Sequence, residues 1–172
     1  MITLVLGGAR SGKSEYAEAL ASARPSPVVY IATGDPSGDD DFAVRVAAHR
    51  ERRPAEWETI ESGPALAAAV RSRGGATLLI DSLGTWLASL PQFSADAADL
   101  CAALVAHDGE AIVVSEEVGL GVHPSSDAGR QFRDALGILN RAVAAVAGDV
   151  LLVVAGRALP LQPATGVVPG TP

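Results

Sequence analysis

Residues Gly7-Gly8-Ala9-Arg10-Ser11-Gly12-Lys13-Ser14 match G-x-x-x-x-G-K-[ST] without a substitution. That spacing is phosphate chemistry. Glycines permit left-handed backbone angles, so successive N–H groups can press against an anion. The N-terminus of a following helix adds roughly half a positive charge aimed at the same place. Lys13 is then placed to reach β- and γ-phosphates and to act in catalysis, and the Ser14 hydroxyl to ligate Mg²⁺. Lys13 is also the sole lysine in a chain that otherwise uses arginine, and a compact ammonium is what a phosphate clamp needs. The competing reading, a chance glycine turn, fits the context poorly: an apolar run, Ile2 to Leu6, precedes the motif and an alanine-rich amphipathic segment, Ser14 to Ala23, follows. The stretch predicts a bound nucleoside triphosphate.

Three other groups of residues could do chemistry. Asp81 follows Leu78-Leu79-Ile80 and resembles a Walker B acid, which orients Mg²⁺ directly or through water; its alternative role is to open the segment beginning at Ser82. The pair Glu116-Glu117 also follows an apolar run. Only one of two neighbours can point into a site, and Glu117 is the expected one, with a solvated loop charge as the alternative. Finally, Arg45, His49 and Arg52 are spaced i, i+4, i+7, along one side of a helix, beside Arg50 and Arg53. A neutral imidazole attacks phosphorus well, and surrounding guanidinium groups would lower its pKa and bind phosphate oxygens. His49 is therefore the candidate nucleophile; the bland alternative is a solvated basic face. His107 and His123 are weaker candidates, the first near a predicted helix end and the second in a loop.

The elements that must position these groups alternate. Strands are expected at Ile2–Leu6, Val28–Ile31, Trp57–Ile60, Thr77–Asp81, Ala111–Ser115 and Val150–Val154; helices at Ser14–Ala23, from Asp39 or Asp40 to about Arg52, at Ala65–Arg73, Ala95–Ala106 and Asp127–Ala147. The last carries Phe132, Leu136, Leu139, Val143 and Val146 on one stripe. Continuously apolar strands separated by helices mean a mostly parallel sheet covered on both faces, an α/β fold of three layers. In such sheets ligands sit at the carboxyl ends of strands. That rule selects Ala32-Thr33-Gly34, Asp81, the Glu116–His123 loop and Gly156-Arg157 besides the phosphate loop. A single domain over 1–160 and a mobile proline-rich tail over 161–172 are expected.

Composition narrows the class. A chain of 172 residues with 48% hydrophobic content can bury about 70% of its unfolded surface without staples. One cysteine, Cys101, excludes an internal disulfide and a cysteine-cluster metal site. A formal charge of −7 argues against a nucleic-acid surface. No apolar run approaches the ~20 residues of a membrane span and no signal-peptide pattern opens the chain, so a soluble cytoplasmic protein is expected.

Taken together, these residues resemble the bifunctional adenosylcobinamide kinase/adenosylcobinamide-phosphate guanylyltransferase family of cobalamin biosynthesis. The resemblance runs from residue 2 to about 156. It is carried by Leu6 through Ser14, Tyr30-Ile31-Ala32-Thr33, Asp40-Asp41, Arg45-x-x-x-His49-Arg50, Arg53-Pro54-x-x-Trp57-x-Thr59-x-Glu61, Ser115 through Gly121, and Phe132-Arg133-Asp134-x-x-Gly137-x-x-Asn140. It implies a P-loop NTPase fold with a RecA-like sheet and two successive reactions. The γ-phosphoryl of ATP or GTP goes to the aminopropanol hydroxyl of the corrinoid adenosylcobinamide. A histidine matching His49 then attacks the α-phosphorus of GTP, and the cobinamide phosphate displaces it to give adenosylcobinamide-GDP. By the same resemblance Ala32, Thr33, Gly34, Arg50, Glu51, Arg52, Arg53, Glu61 and Asp81 are nucleotide contacts, Ser14 and Asp81 hold Mg²⁺, and the protein is a homo-oligomer, a dimer or trimer. The chain departs from the family pattern at Phe42, Ala48 and Asp81, and in Arg157-Ala158-Leu159-Pro160 after Gly156. Two other readings fit the phosphate loop: a kinase for another small alcohol, and a non-enzymatic nucleotide-dependent switch. The switch has no need of a nucleophilic histidine.

Overall fold

Continuous apolar runs need cover on both faces, and most of the strands have it. The computed structural model describes residues 1–24, 27–34 and 53–164. Within them lie strands β1 (Ile2–Gly7), β2 (Val28–Ala32), β3 (Glu58–Glu61), β4 (Thr77–Asp81), β5 (Ala111–Glu116), β6 (Asp149–Val154) and β7 (Arg157–Pro160). The helices are α1 (Lys13–Ser22), α2 (Leu66–Arg71), α3 (Leu83–Ser89), α4 (Ala97–Ala106) and α5 (Asp127–Val146). All seven strands form one sheet in the order β3-β2-β4-β5-β1-β6-β7. Every pairing is parallel except β6 with β7. The expected helix from Asp39 or Asp40 to Arg52 lies outside the described residues.

Strand parity divides the core in two. Leu4, Leu6, Val29, Ile31, Leu78, Ile80 and Val113 face the layer built from α2 to α5. Val5, Val28, Tyr30, Leu79, Ile112 and Val114 face α1, where Ala17 and Ala21 are fully buried. Each large aliphatic side chain so buried contributes about 1.5–3 kcal/mol. Helix α5 buries Leu136, Leu139 and Val143, with Phe132 and Val146 half-buried at the ends of the stripe. Phe132 meets Phe93 edge-to-face at 5.4 Å.

The segment beginning at Ser82 is a helix, α3, while strand β7 and a 3-10 turn over Pro91–Phe93 were not expected from the sequence. Helix α3 is short, and a capping box fixes it: the Ser82 hydroxyl accepts from the Thr85 N–H while the Thr85 hydroxyl accepts from the Ser82 N–H. Strand β7 is antiparallel and exposed. Ala155 and Gly156, with φ of 50° and 73°, make the two-residue turn that joins β6 to it. Pro160 is tolerated because β7 lies at the sheet edge. The chain continues the pairing briefly beyond Pro160, since the Leu161 N–H donates to the Val150 carbonyl at 2.8 Å.

Candidate nucleotide-transfer site

The carboxyl ends of five adjacent strands lie in a row. Register places Glu61 beside Ala32 and Ala32 beside Asp81; further along, Glu116 pairs with Gly7. Residues from β3, β2, β4, β5 and the phosphate loop thus share one edge of the sheet.

The loop between β1 and α1 is held from below. The Ser11 N–H donates to the Gly8 carbonyl at 3.3 Å, and the Ser11 carbonyl accepts from the Gly156 N–H at 2.8 Å. Gly12 has φ of +92°, and a Cβ there would stand 3.3 Å from the Gly156 Cα. Gly7 has even less room: a Cβ would fall 2.4 Å from Ser11 Oγ and 2.8 Å from the Val153 carbonyl oxygen. The β6–β7 turn is therefore a buttress for the loop. No side chain caps α1, so its first-turn N–H groups remain available to an anion. Ala9 and Arg10 are exposed, while Gly8, Ser11, Gly12, Lys13 and Ser14 are half-buried.

Asp81, at the end of β4, lies within hydrogen-bond reach of the phosphate loop. The Ser14 hydroxyl donates to Asp81 Oδ1 at 3.4 Å, and the Tyr30 hydroxyl to Asp81 Oδ2 at 3.1 Å. Tyr30 is 4% exposed. Burial first, and the neighbouring Asp81 carboxylate second, push its phenol far above the ordinary range. The phenol therefore stays protonated and acts as a fixed donor. The Arg53 guanidinium lies over the Tyr30 ring at 3.4 Å from its centroid and donates to Thr59 Oγ1 at 3.4 Å, a cation–π contact at the rim of the site. No cluster of three or more His, Cys, Asp or Glu occurs among the described residues. Mg²⁺ is commonly held by a hydroxyl and one carboxylate together with water and phosphate oxygens, and the Ser14–Asp81 pair fits that donor chemistry.

The acid that faces the loop is Glu116, correcting the expectation of Glu117. Parity is the reason: Ile112 and Val114 face α1, and Glu116 is the next residue on that side. Its Oε1 is 3.5 Å from Lys13 Nζ. Glu117 instead accepts the Gly119 N–H at 2.8 Å within its own loop. The Glu116 carboxylate also accepts from the Ser82 hydroxyl, at 2.9 and 3.0 Å to its two oxygens, and from the Gly84 N–H at 3.1 Å. Behind it, Asn140 of α5 donates to the Glu116 carbonyl at 3.0 Å and accepts from the Ser115 hydroxyl at 2.6 Å.

The remaining sequence-selected residues divide by position. The Thr33 side chain is directed at the β4–α3 junction, where its hydroxyl donates to the Ser82 carbonyl at 2.7 Å and accepts from the Ser82 N–H at 2.8 Å. The peptide between Asp81 and Ser82 is cis. Ala32 and Gly34 are half-buried, and Glu61 is exposed at the end of β3. His107 lies at the opposite edge of the sheet, where Nε2 is 2.9 Å from the Ala76 carbonyl oxygen; His123 is exposed. His49, Arg50, Glu51 and Arg52 lie outside the described residues. Sequence reasoning did not assign Tyr30 to the site, although parity with Asp81 across β2 and β4 would have placed both on the α1 face.

Comparison with known proteins follows the same line. The family model for cobinamide kinase / cobinamide phosphate guanyltransferase (CobU) matches residues 3–161. The chain is 43% identical over 170 residues to the bifunctional adenosylcobalamin biosynthesis protein CobP of Pseudomonas aeruginosa, covering 94% of this chain and 98% of that protein. It is 34% identical over 177 residues to the bifunctional adenosylcobalamin biosynthesis protein CobU of Escherichia coli, covering 91% and 97%. Among solved structures, an ATPase of the type III secretion system of pathogenic bacteria aligns with a TM-score of 0.55 at 12% identity, over 88% of this chain and 50% of that one. A protein of Pyrococcus horikoshii OT3 aligns with a TM-score of 0.54 at 8% identity, over 92% and 84%. At such identities these two likenesses concern the fold alone, which is the three-layer α/β fold with a mostly parallel sheet expected from the sequence.

Proposed function

The chain belongs to the cobinamide kinase / cobinamide phosphate guanyltransferase family, and from that premise we propose how its residues divide the two reactions between them. It is a bifunctional transferase of adenosylcobalamin biosynthesis, a kinase and a nucleotidyltransferase. In the first reaction the triphosphate, ATP or GTP, lies along the Gly7–Ser14 loop. Backbone N–H groups and Lys13 neutralise the β- and γ-phosphates, and the γ-phosphoryl passes to the cobinamide hydroxyl. Mg²⁺, held by Ser14 and Asp81, would supply charge neutralisation on the phosphate oxygens. Tyr30 keeps Asp81 oriented toward Ser14.

In the second reaction His49 attacks the α-phosphorus of GTP, releasing pyrophosphate, and the cobinamide phosphate then displaces the histidine. A covalent intermediate divides one difficult displacement into two easier ones. The observation that carries this reading is the anchoring of Arg53, stacked on the tyrosine that holds Asp81. The Arg53 guanidinium thereby puts a positive charge at the rim of the site, suited to the phosphate oxygens of a nucleotide. Ala32, Thr33, Gly34, Arg50, Glu51, Arg52, Arg53 and Glu61 complete the nucleotide pocket in this account, Thr33 by bracing Ser82. Residues 1–160 act as one domain, working in the cytoplasm as a dimer or trimer. Among the described residues no helix is long and apolar enough to cross a membrane.

The test is to incubate the protein with Mg²⁺ and GTP labelled at the α-phosphate, denature it, and look for label on the chain. The expected label is acid-labile, alkali-stable and missing from His49→Ala. Wild-type protein that never takes up label would overturn the covalent route.

A further inference from the structure

We infer that Glu116 is the base of the phosphoryl-transfer step, taking the proton from the substrate hydroxyl as that oxygen attacks the γ-phosphorus. The inference rests on the kinase half of the reading above and adds a residue to it.

The carboxylate is built into place rather than left on a loop. It is the last residue of β5, in register with Gly7 at the start of the phosphate loop. Its main chain is tied back by Asn140, and its carboxylate is set against the start of α3 by Ser82 and the Gly84 N–H. The space it occupies is reserved: a Cβ on Gly84 would fall 2.0 Å from Glu116 Oε2. Glycine is the residue that lets the carboxylate lie there. The side chain is nonetheless 26% exposed, so a substrate hydroxyl can approach it.

Its contact with Lys13 explains how the base comes free. Lys13 Nζ is 3.5 Å from Glu116 Oε1. A bound triphosphate offers the ammonium several anionic oxygens, and Lys13 turns toward them. Ser82 has one proton to share between the two carboxylate oxygens, which leaves a lone pair on Oε1 directed at the loop. Asp81 is less suited to the task, because in the reading above it holds Mg²⁺ together with Ser14. In the step itself, the substrate O–H bond breaks and its proton passes to Glu116. The oxygen forms a bond to the γ-phosphorus while the bond from that phosphorus to the β–γ bridging oxygen breaks. The electron pair leaves with the nucleoside diphosphate, and Glu116 later returns the proton to water.

The alternative is that Glu116 serves only as the resting counter-ion of Lys13. Glu116→Gln separates the two, because it keeps the side chain's size and an acceptor for Ser82 but removes the base. Three quantities are measured on wild type and variant: cobinamide phosphate formation, equilibrium nucleotide affinity, and self-labelling from α-labelled GTP. Removing a general base predicts kinase activity lower by ~10²–10⁴-fold, with nucleotide affinity equal or tighter and self-labelling retained. Gly84→Ala, which displaces the carboxylate without changing it, should give the same pattern in weaker form. Kinase activity within a few-fold of wild type in Glu116→Gln, or a parallel fall in all three quantities, overturns the inference. Wild-type protein that forms no cobinamide phosphate would instead overturn the kinase reading on which it rests.

Discussion

Replacing Asn140 by alanine tests how the catalytic edge of the sheet is held. Asn140 is a polar residue on the apolar stripe of α5, 7% exposed, facing a Ser115 side chain with no exposure at all. Its amide accepts from Ser115 Oγ at 2.6 Å and donates to the Glu116 carbonyl at 3.0 Å. Truncation leaves a buried hydroxyl and a carbonyl without these partners, each at a cost of about 1–3 kcal/mol. We expect a total loss of about 2–4 kcal/mol once partial relaxation of the site is allowed. For a domain of this size that lowers the melting temperature by about 5–15 °C. Urea unfolding of wild type, Ser115→Ala, Asn140→Ala and the double variant measures it. Because each single variant strands the other's polar group, the double variant should cost less than the sum, by about 1 kcal/mol. Additivity within about 0.3–0.5 kcal/mol would show that the two residues do not act as a pair and refute the reasoning. Asn140→Ala should also lower kinase activity more than nucleotide affinity, since it frees the strand end that carries Glu116.

Other outcomes follow from the site. Gly7→Ala places a methyl group 2.4 Å from Ser11 Oγ and 2.8 Å from a backbone oxygen, so the loop must deform. Titration with a fluorescent nucleotide should register about a tenfold or greater loss of affinity, the equivalent of one charge-assisted hydrogen bond. Tyr30→Phe removes the donor to Asp81 Oδ2 and should raise the Mg²⁺ concentration needed for half-maximal kinase activity, with the fold intact by circular dichroism. Tyr30 also has a pH signature, because its folded pKa lies above the unfolded value. Its contribution to stability is complete below about pH 10, the unfolded value, and is lost as pH rises through the folded value. The stability difference between wild type and Tyr30→Phe should therefore shrink above that pH in denaturant titrations.

The sequence made the phosphate loop plain because its chemistry is contiguous: strand, glycine turn, lysine and serine occupy one short stretch. The parallel sheet was equally readable, since strands covered on both faces cannot hide their apolar runs. What was lost depends on contacts between distant residues. Choosing Glu116 over Glu117 requires knowing which face α1 covers, and counting by twos from Ile112 and Val114 would have supplied it. Tyr30 reads as one more core aromatic until its hydroxyl is seen against Asp81. Strand β7 carries no apolar alternation and ends in a proline, so nothing local announces it. Helix α3 is too short for a periodicity and contains Gly84, which stands there for the sake of the Glu116 carboxylate rather than for the helix. Asn140 interrupts an otherwise apolar stripe, and its partners explain why.

The central claim is that one strand-edge site serves two phosphorus atoms, with Lys13 at the γ-phosphoryl and His49 at the α-phosphorus. Mass spectrometric analysis of the products made by His49→Ala from adenosylcobinamide, GTP and Mg²⁺ tests it most directly. Cobinamide phosphate should accumulate at close to the wild-type rate, and no adenosylcobinamide-GDP should appear. Formation of the GDP product by the variant, or loss of both products together in a folded protein, would contradict it.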